Sequence, residues 1–164
     1  MFTSGSKSFN IPAFTGAYGF IPEENERDSY LQALKGRDGL SSPSVPALVA
    51  HIAAYRDGAP WLDALRDYLQ ANMRYVADTL NNAFPALCWQ PPEATYLAWI
   101  DLRPLNVDDR ALQQALIAEQ KVAIMPGYTY GPEGNGFLRL NVGCPREKLE
   151  RGVEGLIAAL RSLS

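Results

Sequence analysis

Lys7 stands in the run Ser4-Gly5-Ser6-Lys7-Ser8-Phe9-Asn10, an amine set among short hydroxyls in a sequence of 164 residues. A lysine becomes a useful nucleophile or base when its pKa, about 10.4 in water, is lowered by burial or by a neighbouring positive charge. Phe9, Ile11, Pro12 and Phe14 can exclude water from it, and no acid lies among its first neighbours to raise the pKa. Ser4, Ser6 and Ser8, with the local backbone N–H groups, are donors suited to holding a phosphate. The same residues also describe a surface lysine in a serine loop. Ser4-x-x-Lys7 shares its spacing with penicillin-binding enzymes, but the sequence has no Ser-Asp-Asn or Lys-Thr-Gly, and the segment runs into Pro12 where that motif continues as a helix.

Two further positions can bind. Arg139 lies in the alternating run Phe137 to Val142, where Leu138, Leu140 and Val142 share one face and Phe137, Arg139 and Asn141 the other. An arginine on a free strand face offers a rigid fork to a carboxylate; a solvated arginine on an edge strand has the same pattern. Pro126-Gly127-Tyr128-Thr129-Tyr130-Gly131 is a glycine-flanked aromatic loop between two strands, either a pocket wall contributed by Tyr128 or a tight turn with two packed tyrosines.

These residues need a frame, and the composition allows one. The length suffices for a real core. A net charge of −3 with scattered Lys and Arg gives no basic field, so nucleic acid is not an expected partner. No apolar run reaches the roughly 18 residues of a membrane helix, and Met1 is not followed by signal-peptide regions; a soluble cytoplasmic protein is expected. Cys88 and Cys144 lack CxxC spacing and His51 has no neighbouring ligand, so no metal site is expected and the thiols are expected to be buried.

Along the chain, Ala13 to Ile21 is apolar, aromatic and glycine-bearing, which predicts a short buried strand closed by Pro22. Glu23 to Leu34 predicts a helix stopped at Gly36. Gly39 to Ser44 is a loop, and Pro43 is placed at the start of a helix carrying Val45, Leu48, Val49 and Ile52 to Tyr55. Pro60 opens the longest helix, with Trp61, Leu65, Leu69, Met73, Val76 and Leu80 as its stripe. After Pro85 the character changes. Tyr96 to Ile100 is strand-like, Asp108 caps a helix with Leu112, Ala115 and Leu116, Val122 to Met125 is a strand stopped by Pro126-Gly127, and Pro145 opens a last helix with Leu149, Val153, Leu156, Ile157 and Leu160 inward. The order strand, helix, strand, strand, helix predicts an α/β (α+β) unit, a small open sheet with helices on one side.

Taken in order, the motifs resemble the C-terminal half of fold-type I pyridoxal-phosphate enzymes of the class I and II aminotransferase group, over essentially the whole chain. Ser4-x-Ser6-Lys7 resembles the cofactor lysine signature, Ala94 to Asp101 the first small-domain strand, Val122 to Gly127 the second, and Phe137 to Asn141 the strand bearing the substrate-carboxylate arginine. Ser4 to Asn10, Leu34 to Ser44 and Met125 to Gly131 are similar to the MalY/PatB branch, the cystathionine β-lyase type of carbon–sulfur lyases.

The resemblance implies pyridoxal 5'-phosphate bound covalently to Lys7, which would then remove the substrate α-proton. Ser4 and Ser6 would bind cofactor phosphate, and Arg139, with Tyr128, would bind a sulfur-containing amino acid. β-Elimination would give a thiol, pyruvate and ammonia. A plain aminotransferase and a regulatory protein-binding module of the branch are the alternatives, and a homodimer is implied. Thr15 occupies the position, eight residues past Lys7, where many aminotransferases carry a phosphate-binding arginine, which favours the lyase branch. In the family the lysine lies past the middle of a longer chain. The division implied is a cofactor-domain remnant over 1–42, interdomain and long helices over 43–83, and a C-terminal small domain over 84–164, a truncated fragment inactive alone.

Overall fold

The computed structural model describes residues 1–40 and 43–163; the expected domain boundary at residue 42 and part of the expected 39–44 loop, Ser41 and Ser42, lie outside them. The chain forms two compact units, Met1–Leu65 and Arg66–Ser164.

In the first unit, β1 (Phe2–Thr3) pairs antiparallel with β2 (Tyr18–Gly19), with Thr3 opposite Tyr18. The longer buried strand expected over Ala13 to Ile21 is therefore corrected to two exposed residues. A ladder extends only as far as its partner, and β1 offers two residues; Tyr18 and Phe20 are exposed. Next, α1 (Glu24–Leu31) does not stop at Gly36 but continues as a π-helical turn through Gln32–Arg37. After it, α2 (Val45–Asp57) is capped by Ser44, whose hydroxyl accepts from the Ala47 N–H at 3.4 Å, with Pro46 in the first turn. Pro43 thus precedes the cap instead of opening the helix; Pro46 takes the position where a missing N–H costs nothing.

The unit boundary falls within α3 (Ala59–Ala83), which the apolar stripe predicted. In the second unit, β3 (Leu97–Asp101), α4 (Asp109–Ala118), β4 (Met125–Pro126), β5 (Phe137–Asn141) and α5 (Arg146–Ser162) follow in the expected order. The sheet order is β3-β5-β4, antiparallel throughout. Asp108 caps α4 by accepting the Ala111 N–H at 2.7 Å. The expected strand over Val122 to Met125 is corrected to Met125–Pro126. Pro126 does not stop it, because β4 is an edge strand and a proline there removes no ladder bond from the interior.

Alternation along β3 and β5 sends Ala98, Ile100, Leu138 and Leu140 into a core shared with α3, α4 and α5. Val76, Leu80, Leu116, Val153, Leu156 and Leu160 are fully buried there. Asn72, the buried polar residue of α3, is satisfied because its amide donates to the Val142 carbonyl at 2.9 Å. The opposite face of the sheet is left open. The thiols correct a further expectation: Cys88 is exposed, in a left-handed conformation (φ 46°) after a turn, and Cys144 is half-buried.

Candidate functional site

Lys7 sits in a tight turn that follows β1. The Phe9 N–H closes it on the Gly5 carbonyl at 2.9 Å, and the Ile11 N–H reaches the Ser6 carbonyl at 3.1 Å. The Ser4 hydroxyl ties the turn to the segment before β2 by donating to the Gly16 carbonyl at 2.6 Å, and it accepts the Ser6 N–H at 3.2 Å. Ser4's single proton is thereby committed, whereas the Ser6 side chain has no hydrogen-bond partner among the described residues. Ser8 is exposed.

Lys7 itself is exposed, and its amine has neither hydrogen-bond nor ion-pair partner among the described residues. The expected apolar shield does not enclose it. Phe9 turns to Tyr55 (ring centroids 5.1 Å apart) and to Trp61 (6.4 Å), while Pro12 and Phe14 face solvent. Tyr55 in turn meets the Tyr18 ring edge-on at 5.7 Å, and a hydrogen bond with the Tyr18 phenol, the largest cause, raises the Tyr55 pKa above its ordinary value.

Sequence reasoning missed His51. On α2, its Nδ1 lies 2.8 Å from the Ala47 carbonyl and its Nε2 3.5 Å from Ser4 Oγ. The ring lies against two glycines of the lysine turn and its tether: a Cβ placed on Gly5 would meet His51 Cδ2 at 3.2 Å, and one on Gly16 would meet Cε1 at 3.3 Å. A lone histidine has no spacing to test. The available signal was Gly5 and Gly16, small residues on both sides of a bulky ring.

In the second unit, Arg139 is on the central strand of the sheet, not on an edge. The register sets it between Trp99 of β3 and Met125 of β4 on the open face. Its guanidinium stands 4.5 Å from the centre of the Tyr130 ring and has no acidic partner among the described residues. Tyr130 meets Trp99 edge-on at 5.8 Å, and Trp99 stacks on Phe137 at 5.5 Å. Arg103 covers Phe137 at 4.6 Å and is held by Asp101 through hydrogen bonds of 2.9 and 2.7 Å. That arginine holds the Asp101 carboxyl below the ordinary carboxylate range. The aromatic loop thus supplies Tyr130, rather than Tyr128, to Arg139. Tyr128 lies under Arg110 at 5.4 Å and lines an open cleft of about 320 Å³ at the start of α4, with Asp108, Asp109 and Gly136.

The donor set of the turn suits a phosphorylated aldehyde at two points: an unpaired primary amine for the carbonyl, and hydroxyl and N–H groups beside it for the phosphate. Arg139, pre-oriented and unpaired, suits a carboxylate.

The family of class I and II aminotransferases matches residues 1–156. Protein MalY of Escherichia coli (strain K12) is 71% identical over 163 residues, 99% of this chain and 42% of that protein. Cystathionine beta-lyase PatB of Bacillus subtilis (strain 168) is 37% identical over 155 residues, covering 94% of this chain and 40% of that one. Among solved structures, cystalysin from Treponema denticola, which contains a pyridoxal 5'-phosphate cofactor, superposes with a TM-score of 0.86 at 30% identity, over 99% of this chain and 41% of that one. This chain therefore spans about two-fifths of the length of the relatives it matches. No helix among the described residues is long and apolar enough to cross a membrane.

Proposed function

This chain belongs to the class I and II aminotransferase family, and from that premise we propose that a polypeptide of full family length carrying it is a pyridoxal-phosphate-dependent carbon–sulfur β-lyase of the cystathionine β-lyase type. The observation that carries the reading is the unpartnered Lys7 amine on a turn lined by the Ser4 and Ser6 hydroxyls. In this reading residues 1–42 belong to the cofactor-binding domain, 43–83 to the interdomain and long helices, and 84–164 to the small domain.

When bound, pyridoxal 5'-phosphate supplies a sink for the electron pair left at the substrate α-carbon. The chain's own residues do the rest. Lys7 Nζ would hold the cofactor aldehyde and would take the substrate α-proton. Ser6 offers the phosphate an uncommitted hydroxyl, and Ser4 offers one that exchanges the Gly16 carbonyl for it. Arg139, braced on Tyr130, holds the α-carboxylate, and Tyr128 provides a second wall for the substrate. The chemistry supplied there would be a β-elimination with a thiol, pyruvate and ammonia as products. Lys7 is exposed in this chain, with no apolar side chains closed over its amine. Accordingly the 164-residue chain alone is assigned no turnover.

The lyase is favoured over an aminotransferase by the likeness to PatB and by Thr15 eight residues beyond Lys7. A homodimer of the intact protein is part of the proposal. So is a regulatory protein partner, which the resemblance to the MalY/PatB branch implies and which capture that survives loss of Lys7 would support. Borohydride reduction of the intact protein with pyridoxal 5'-phosphate should leave the mass increment on Lys7, and cystathionine should yield pyruvate. A label elsewhere, or full turnover by Lys7→Ala, overturns the assignment.

A further inference from the structure

We propose that Trp99 is a specificity-determining residue, the wall that receives the apolar thioether arm of an amino acid whose α-carboxylate is held by Arg139, an inference that rests on the reading of Arg139 given above. Trp99 and Arg139 are direct partners in the β3–β5 register, on the open face of the sheet. Residues so opposed stand about 4.5–5.5 Å apart at Cβ. A group carried next to a carboxylate on Arg139 is therefore within reach of the indole.

The neighbours of Arg139 on that face are not alike. Asn141, further along β5, has its side-chain oxygen committed to the Gly143 N–H at 2.8 Å. Met125, opposite on β4, belongs to a two-residue edge strand and is a flexible side chain 44% exposed. Trp99 is held from two sides, stacked on Phe137 at 5.5 Å and met edge-on by Tyr130 at 5.8 Å, and its ring is still 39% exposed. Its backbone carbonyl accepts the indole N–H of the buried Trp89 at 2.8 Å, which ties this point of β3 to the core beneath.

Charge on the face points the same way. Arg139 has no acidic partner among the described residues, and Asp101, further along β3, is taken by Arg103. An unpaired fork beside an ordered aromatic surface matches an anion joined to an apolar arm. A thioether suits that surface in particular, because divalent sulfur makes favourable contacts with aromatic rings at about 5 Å. The strip runs from Trp99 over Phe137 and ends where Arg103 covers that ring.

The discriminating probe is a pair of carboxylates without an amino group, β-(benzylthio)propionate and propionate, which share the anion and differ in the arm. Neither can join an aldehyde, so calorimetric binding to the intact protein reads the sheet face and not turnover. Trp99→Ala should weaken the benzylthio compound about three- to tenfold, the worth of one aromatic pair, and leave propionate within twofold. Trp99→Phe should restore most of the loss. In turnover the same division should appear in KM, raised for S-benzyl-L-cysteine and within twofold for β-chloro-L-alanine.

Equal weakening of both members of either pair, no weakening of the benzylthio compound, or a loss that follows Met125→Ala and not Trp99→Ala overturns the assignment of Trp99. If Trp99→Ala does not fold, Trp99→Leu, which keeps apolar bulk without the ring, is read in its place by the same criteria. Failure of the unsubstituted protein to bind either carboxylate, or undiminished binding of both by Arg139→Gln, overturns the reading of Arg139 instead, which separates the two conclusions.

Discussion

In the second unit Leu80, Ile100, Leu116 and Leu156 are wholly buried, whereas among the described residues of the first unit Ala47 is the one buried apolar side chain. The first unit has apolar side chains too, but they are left in solvent: Val45, Val49 and Ile52 on α2 are 72%, 61% and 61% exposed. The contrast separates two kinds of order. Residues 66–163 are held by side chains that bury one another, while the lysine turn is held by backbone and hydroxyl hydrogen bonds, from Ser4 to Gly16 and from Phe9 to Gly5. Chemistry is assigned to both, yet among the described residues the core cluster lies in the second unit.

The largest expected effect tests whether the turn is chemical rather than structural. In the intact protein Lys7→Ala should lower pyruvate release by about 10²- to 10⁴-fold, the worth of a positioned base. The unfolding midpoint should barely move, because an exposed, unpartnered side chain contributes within about 0.5 kcal/mol to stability. A fall in stability matching the fall in rate would make Lys7 a structural residue.

Next, urea titration of this chain should give a loss of about 2–5 kcal/mol for Leu156→Ala, from the lost transfer energy and the cavity left behind. Val49→Ala, with its side chain already in water, should cost within about 0.5 kcal/mol. Hydrogen exchange should follow the same division, with amides of α5 protected well beyond those of the lysine turn. Comparable losses for the two substitutions would dissolve the comparison.

How much of this could be read from the sequence follows from the same difference. α3 and α5 were legible because a long amphipathic helix repeats its apolar signal over many turns, and β5 because Leu138 and Leu140 alternate with Arg139. Asp108 announced α4 by its type alone. Ala13 to Ile21 failed because apolar and aromatic residues suit a buried strand and an exposed segment equally, and strand length is set by the partner, here only Phe2 and Thr3. At the site, the hydroxyls around Lys7 were visible, but not which one is committed; that depends on Gly16, 12 residues away from Ser4. Tyr128 and Tyr130 are likewise indistinguishable until the turn after β4 fixes which ring meets Arg139.

That last distinction gives the third prediction, on the open face of the better-packed unit. A cation over an aromatic ring is worth about 0.5–2 kcal/mol, so Tyr130→Leu should raise KM for the amino-acid substrate about two- to tenfold with little change in kcat. Tyr130→Phe, which keeps the ring face, should stay near the parent value. Arg139→Lys should exceed both, having lost the planar fork. A fall in kcat alone for Tyr130→Leu would sink the orienting role.

The smallest effect concerns the outer end of the same face, where Asp101 grips Arg103 and Arg103 covers Phe137. Hydrogen bonding by Arg103 depresses the Asp101 pKa from 3.8. A carboxyl depressed in the folded state contributes stability above its unfolded pKa and loses that contribution as pH falls through the folded value. Asp101→Asn should therefore lower Tm slightly at pH 6, and the difference from the parent should shrink as pH drops below about 4. Both side chains reach solvent, 33% exposed for Asp101 and 62% for Arg103, so added salt should shrink it too. A Tm difference that persists unchanged at low pH would mean that Asp101 does not act through its charge on Arg103.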